Sequence, residues 1–514
     1  MHLFQLFCIF VSIRHIRSEH CPNDDLELEL DLDQLRIAAQ VDKRFLSFAL
    51  DSFLLGDHWR RTNLRDPKLI SLTKQLTPAY LRVGGTDQDN LIFCPGAKFG
   101  NVHDNTIDAL PCSTTRESKN STIPITESDI KELGQFVKVT GVDLVYGLNV
   151  LERHGGQWNP ANSVRLMNYM DALEIPVAGW ELGNEPLRFP KVFNKSVRAG
   201  SLGRDFNLLK SLLSQISRYS NSAIFGPDVT SIRKAGSPAL HFLAEFLQEC
   251  DNSTLSGGVT FHDYYFSGST ATILDFLDVR IMDKLTTRIQ LVKRIVRTRF
   301  QQPDIPPLWL GETSTAFGGG STNISDRFVA CFTWLDKLGQ AALSGVAVVV
   351  REALSGNKNY GLLDKTTHPT PGYFVSLLFK RLVSHIVLTP LGDNFVRLDA
   401  AKNNRTIRFY LHCDTELRGG VVVFGMNLNT NPVKVRISTG GNMGPARIYE
   451  YLLTPLNDDL ESRFCTLNGR ILKVGHGGII PKLIPTLRQE SFSVPSLSLG
   501  FWVVSNANVS FCAR

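Results

Sequence analysis

Between residues 45 and 352 the chain repeats one pattern: a short unbroken apolar run that ends on polar side chains, followed in most cases by a stretch with helical periodicity. The runs are Phe45 to Asp51, Ala79 to Gly85, Val142 to Asn149, Val177 to Glu185, Ala223 to Asp228, Val259 to Tyr265, Leu308 to Thr313 and Val346 to Arg351. Strands of a parallel sheet are covered on both faces, so they read as continuous rather than alternating apolar segments. Eight strand-then-helix units predict an α/β fold, the (β/α)8 barrel. The intervening helices carry their own signals. Thr126 and Ser128 precede a stripe of Ile130, Leu133, Phe136 and Val137, and Gly141 stands where the helix should stop. Farther on, Leu285, Ile289, Val292 and Val296 mark one helix face, while Arg288, Lys293, Arg294 and Arg297 read as a solvated outer face.

From about residue 385 the texture becomes β-rich, with runs at Thr406 to His412, Gly420 to Leu428, Val433 to Ser438 and Leu499 to Ser505. These predict a small antiparallel β-sandwich, to which the stretch Leu26 to Ile37 adds a strand. The segment from Cys94 to Thr122 lacks periodicity and contains Pro95, Gly96, Gly100 and Pro111, which suits an exposed insert. The expected division is a signal peptide at 1–20, an N-terminal segment at 21–40 joining the sandwich, a catalytic barrel at 41–384 with its insert at 94–122, and a β-sandwich domain at 385–514.

Composition narrows the compartment. Leu3 to Ile13 is apolar but too short to span a bilayer, and small and polar residues follow it around Ser18, so it reads as a secretory signal peptide. No other stretch predicts a transmembrane span. Six acceptor sequons for N-glycosylation, at Asn120, Asn194, Asn252, Asn323, Asn404 and Asn508, agree with the secretory route. Without Cys8, eight cysteines remain, at 21, 94, 112, 250, 331, 413, 465 and 512, an even number that fits an oxidising compartment. Spacing assigns no partners, although a Cys94 to Cys112 bridge would close the insert. The net charge of +6 favours an acidic partner, and no nucleic-acid-binding signature accompanies it.

The chemistry sits in two segments, Trp180-Glu181-Leu182-Gly183-Asn184-Glu185-Pro186 and Trp309-Leu310-Gly311-Glu312-Thr313. Each ends an apolar run on a glutamate, and barrel active sites gather where strands end. Glycoside hydrolysis with retention needs a protonated carboxyl beside the leaving oxygen and an ionised one below the anomeric carbon, about 5 to 5.5 Å apart. Glu185 is the candidate acid/base and Glu312 the candidate nucleophile. Asn184 is placed to bond a sugar 2-hydroxyl, and Tyr264, at the sixth strand end, to donate to Glu312. Gly318, Gly319 and Gly320 let backbone amides approach a substrate. Arg82, His154, His262 and Arg351 are weaker pocket candidates, since buried barrel residues also pair with one another.

Several segments extend the pattern: Tyr80-Leu81-Arg82 with Gly84-Gly85-Thr86, Gly226-Pro227-Asp228-Val229, Tyr264-Tyr265 with Thr270-Ala271-Thr272, Trp334 to Gly339, and Ser376 to Leu382. With Asn184-Glu185-Pro186 and Trp309 to Thr313, Ala316 and Gly318 to Gly320, they resemble the heparanase-type endo-β-glucuronidases of glycoside hydrolase family 79, from about residue 26 onward. The resemblance implies a retaining enzyme acting on heparan sulfate or its proteoglycans at acidic pH, secreted or lysosomal, with no cofactor. It places Asp51, Thr86, Gly318, Gly319 and Tyr360 at the glucuronic-acid unit, Arg116, Lys119, Arg233 and Lys234 in two heparin-binding stretches, and Cys413 with Cys512 in a disulfide. The chain departs from the family at Glu117, Ala235, Ser269, Asp263, Glu352 and Lys358, the last two standing for a glutamine and a glycine. An exo-β-glucuronidase of the same barrel type and a non-catalytic heparan-sulfate-binding relative are the competing readings.

Overall fold

The computed structural model describes residues 26–96, 122–230, 232–356, 358–391, 406–439 and 444–513. Eight parallel strands close into a barrel: β1 Leu46–Asp51, β2 Tyr80–Gly84, β3 Asp143–Leu148, β4 Val177–Leu182, β5 Ala223–Val229, β6 Gly258–Asp263, β7 Leu308–Thr313 and β8 Val348–Arg351. Each pairs with the next, and β8 closes on β1 with Val349 opposite Leu46. Every strand falls within or overlaps its predicted run. β4 stops three residues short of Glu185, because Gly183 (φ 78°) and Glu185 (φ 52°) leave the extended region.

The period of two along a strand sorts side chains into an outer, helix-covered shell and an inner filling. Leu81 and Val83 of β2 join the shell, whereas Tyr80 and Arg82 between them point inward. The lower filling is aromatic: the ring of Trp309 lies 4.7 Å from Tyr80 and 4.1 Å from Phe225. Gly179 makes room for it, since a Cβ there would meet Phe225 at 2.2 Å. Above this plug, toward the strand ends, the filling becomes charged.

The helix Glu127–Thr140 begins with a capping box between Thr126 and Asp129 and ends on left-handed Gly141 (φ 74°), as its signals predict. In the helix Lys284–Arg299 the expected apolar face is buried, but so is Arg288, which was expected in solvent. Its guanidinium donates to Asp263 at 2.6 Å, a buried carboxylate that no residue nearby in sequence would pair.

Apart from three two-stranded pairs, the remaining described strands form two sheets. A nine-stranded sheet runs from Leu35–Gln40 through Val383–Pro390, Ile407–Asp414, Val421–Asn427 and Ser498–Val504 to Arg447–Pro455 and beyond. A three-stranded sheet joins Leu26–Asp31, Val433–Ser438 and Ser491–Val494. Leu28, Leu30, Val423, Val435, Phe492 and Trp502 share one buried cluster. The disulfide Cys413 to Cys512 is present. Cys94 is disulfide-bonded, while Cys112 lies outside the described residues.

The sheets dock on the barrel through a polar knot. Asp336, wholly buried, accepts from Tyr410 at 2.6 Å and from Arg408, whose Nη1 also donates to Asp283 at 2.8 Å. A side chain at position 339 would strike the Tyr410 ring at 2.2 Å, so a glycine there permits the contact. Among the described residues no helix is long and apolar enough to cross a membrane.

Candidate active site

Arg82 is the hub of the charged layer. Fully buried on β2, it donates from Nε to Glu181 (2.7 Å), from Nη1 to Glu312 (3.0 Å), and from Nη2 to Asn184 (2.9 Å) and Asp228 (3.2 Å). One guanidinium thus aligns groups from β4, β5 and β7, and its planar fork fixes their directions. The second hub is His262 on β6. Its Nδ1 lies 3.1 Å from Glu185 and 3.8 Å from Glu312, and its Nε2 lies 3.2 Å from Asp228. Burial opposes the imidazolium, but the surrounding Glu312, Asp228 and Glu185 outweigh it and raise His262 to about 10.

Glu185 and Glu312 come together above these hubs. Single ligand-type atoms of Glu185, His262 and Glu312 all lie within 4.8 Å of one another. That closeness suits a retaining carboxylate pair, whose carboxyl groups stand about 5 to 5.5 Å apart. The same convergence would suit a divalent ion, yet each carboxylate already accepts from cationic or hydroxyl donors. Glu312 takes one bond from Arg82 and another from the Tyr264 hydroxyl at 2.7 Å.

Glu185 sits differently. It adopts a left-handed conformation directly before Pro186, a backbone state that costs about 1 to 2 kcal/mol for a residue with a side chain. Its carboxyl is buried between His262 on the inside and Arg188, 2.6 Å away, on the outside. Burial alone would raise its pKa. The hydrogen bonds and charges of His262 and Arg188 instead hold it near 2 in the free protein.

Asn184 is fixed from two sides: its backbone N–H donates to buried Asp89 at 2.8 Å, and its side-chain oxygen accepts from Arg82. The amide NH2 is thereby left as the group available to a ligand. Burial pushes Asp89 up to about 7, and burial pushes Glu181 up to about 8 against the pull of Arg82.

The five expected glycone residues stand at or just beyond strand ends of the barrel mouth. Asp51 ends β1, caps the helix Ser52–Gly56 and lies 3.2 Å from Lys358. Thr86 opens a short turn directly after Gly85, which packs against the Asp51 carboxylate. Tyr360 is buried beside Glu352 and Asp51, with Glu312 in electrostatic range. Gly318 and Gly319 take φ of 78° and 93° in the loop after β7, where Gly319 lies against Lys358. Glu352 is the least expected neighbour. Burial, then the charges of Asp51 and Glu312, push it well above the carboxylate range, and neither oxygen has a hydrogen-bond partner.

Arg233 and Lys234 are exposed in the loop after β5 and make no ion pair with the carboxylates. His154 lies on an exposed hairpin strand, and Arg351 donates to the Tyr360 carbonyl beneath the site. Asn194, Asn252, Asn323 and Asn508 are exposed. Arg116, Lys119, Asn120 and Asn404 lie outside the described residues.

Glu181, Asp228, Asp89 and Arg188 escaped the sequence reading. A usable signal existed for Glu181: a carboxylate flanked by Trp180 and Leu182 in a barrel strand must face the interior, where it needs a cation. Arg188 carried a weaker one, three positions beyond a glutamate on a short turn.

The description "Glycosyl hydrolase family 79, N-terminal domain" matches residues 60–339, more than half of the chain. The chain belongs to glycosyl hydrolase family 79. This family 79 enzyme is 34% identical to "Heparanase" of Gallus gallus, with 96% of this chain and 97% of that one covered. It is 28% identical to "Hyaluronoglucuronidase" of Hirudo nipponia (95% and 100% covered) and to "Inactive heparanase-2" of Homo sapiens (94% and 89%). Among solved structures, a 4-O-α-L-rhamnosyl-β-D-glucuronidase from Fusarium oxysporum superposes with a TM-score of 0.64 at 16% identity, covering 92% of this chain and 99% of that one. The last likeness concerns the fold. The family 79 enzyme is a glycosidase built on a (β/α)8 barrel with a C-terminal sheet domain.

Proposed function

We propose that the protein is a retaining endo-β-glucuronidase that cleaves internal glucuronide linkages of heparan sulfate by double displacement. The observation that carries the reading is the asymmetric carboxylate pair: Glu312 held by Arg82 and Tyr264, and Glu185 within reach of it against His262. Glu312 attacks the anomeric carbon. Glu185 protonates the leaving oxygen and then, as a base, activates the water that releases the sugar. The Asn184 amide donates to the 2-hydroxyl, a bond that tightens as positive charge develops on the ring.

Asp51, Thr86, Gly318, Gly319 and Tyr360 bind the glucuronate unit in this reading, and Arg116, Lys119, Arg233 and Lys234 meet sulfate groups along the chain. The catalytic domain spans 41–384, and 21–40 joins 385–514 in the sandwich. The sequons, the signal-like start and the heparanase relatives support a secreted or lysosomal enzyme. The hyaluronoglucuronidase relative makes hyaluronan the competing polymer, and the inactive relative makes pure binding the competing role.

The test is product analysis at acidic pH with defined heparan sulfate and hyaluronan oligosaccharides. Shortened heparan sulfate with a β-configured first product supports the proposal. Cleavage of hyaluronan alone would move the substrate, and binding without shortening would remove the activity. A glucuronide inactivator that bonds covalently should attach to Glu312, and Glu312→Gln should lower kcat by on the order of 10⁴- to 10⁶-fold with no label.

A further inference from the structure

A general acid needs a proton to give, yet the free protein commits both oxygens of Glu185 elsewhere. Oε1 faces His262 at 3.1 Å, and Oε2 accepts from Arg188 Nη1 at 2.6 Å. His262 is sealed inside the barrel, so a leaving oxygen can reach Glu185 only at Oε2, the position that Arg188 fills. The two partners of that contact differ in burial. The Glu185 side chain is 7% exposed and that of Arg188 is 52% exposed. Arg188 therefore covers the carboxyl from the solvent side, at the end of the single turn Pro186–Arg188. Its backbone N–H is tied to the Glu185 carbonyl at 2.8 Å, but among the described residues Glu185 is the one carboxylate with which its guanidinium forms an ion pair. A long side chain anchored at its root and free along its length can swing away at little cost.

The other groups around Glu185 are fixed. His262 and Asp228 lie behind it on β6 and β5, Glu312 faces it from β7, Tyr264 stands beside Glu312, and Arg82 holds the adjoining Asn184. Among the described cations around Glu185, Arg82 and His262 are buried and Arg188 is the exposed one. With it gone, Glu185 keeps one buried imidazolium and meets the full repulsion of Glu312.

We propose that Arg188 is an anion-responsive latch on Glu185: it holds the carboxylate ionised in the free enzyme and transfers to a sulfate or carboxylate on the leaving-group side when a polyanionic chain binds, leaving Oε2 to take a proton and face the scissile oxygen. The inference rests on the role proposed above for Glu185. Its chemistry is the preference of guanidinium for bidentate bonding to oxyanions, which a sulfated uronate chain supplies and a neutral aglycone does not. The latch makes charge on the leaving-group side a condition for cleavage, so a small glucuronide with a neutral aglycone is a poor substrate even when it fits.

The test compares the full-length wild type with Arg188→Gln and Arg188→Lys on three substrates: phenyl β-D-glucuronide, a sulfated heparan oligosaccharide, and the same oligosaccharide desulfated and N-acetylated. With phenyl glucuronide, Arg188→Gln should raise kcat/KM several-fold near pH 6 and move the alkaline limb of its pH profile up by about one unit, since removing a cation within hydrogen-bond range lifts a carboxyl by about that much. With the sulfated oligosaccharide the same variant should lose about 10-fold in kcat/KM, mainly through KM, because a charge-assisted contact is gone. Arg188→Lys should fall between the two. A loss confined to the sulfated chain identifies sulfate as the partner, and equal losses on both chains identify the uronate carboxylate. Loss on all three substrates with an unmoved alkaline limb would overturn the latch and leave Arg188 a structural prop. A wild type that cleaves no glucuronide at all would overturn the functional reading itself.

Discussion

Two largely buried arginines organise this molecule, and their surroundings differ in one respect. Arg408 ties Asp336 and Asp283 at the junction between barrel and sheets, with Tyr410 closing the remaining side, and no atom of Asp336, Arg408 or Tyr410 is left buried without a partner. Arg82 ties Glu181, Asp228, Asn184 and Glu312 at the barrel mouth, yet beside this network both oxygens of buried Glu352 lack a hydrogen bond. A closed network holds a structure together, whereas an open one reserves donors and acceptors for something that has not yet arrived. Burial alone does not distinguish the two. The tally of unfinished bonds does.

The contrast is sharpest when each network is broken. Replacing Glu185 with alanine should slow a glucuronide with a poor leaving group by roughly 10²- to 10⁴-fold and an activated one far less, with the fold unchanged by circular dichroism. Breaking the junction should do the reverse. Arg408→Met leaves the Asp336 charge buried, so denaturant unfolding should show a loss of about 3 to 5 kcal/mol, while kcat per folded molecule stays within two-fold. A mutant that lost activity in proportion to stability would erase the distinction.

The smallest effect concerns pH. Glu181 stands near 8 in the folded protein against an ordinary 4.5, and His262 near 10 against 6.5. Both bind a proton more tightly when folded. Their stabilisation is therefore complete below the ordinary values and is lost as pH rises, first between about 4.5 and 8 for Glu181 and then between about 6.5 and 10 for His262. Glu185 acts oppositely, contributing above 4.5 and losing its contribution as pH falls toward 2. Tm should thus peak on the acidic side of neutrality and fall toward pH 9. Glu181→Gln should flatten the part of that fall below pH 8, and an unchanged slope would reject the assignment.

What the chain disclosed on reading follows the same division between local and distant causes. Continuous apolar runs and their terminal glutamates are local, so the eight barrel strands and the Glu185 and Glu312 positions were legible. The strand Val383–Pro390 was not, because the helix Pro371–Leu382 passes into it without a glycine or proline between. Arg447–Pro455 was hidden by Glu450, a charge inside a strand that is buried against Trp502 and Arg488. The partners of Arg82 were unreadable for a related reason. They lie on three other stretches of chain, and only barrel closure brings them to one guanidinium. Arg288 misled in the same way, since its partner Asp263 sits on the preceding strand.

The first strands have a consequence for how the chain assembles. Leu26 stands opposite Val433, and Pro390 opposite Leu35, so the earliest strands find their neighbours only after the whole barrel has been made. Until then their edges wait unpaired, exposed to aggregation, and the loops to be closed take in most of the chain. A circular permutant joined through those termini and opened within a barrel loop would bring both edges together early, and should refold faster than the native order.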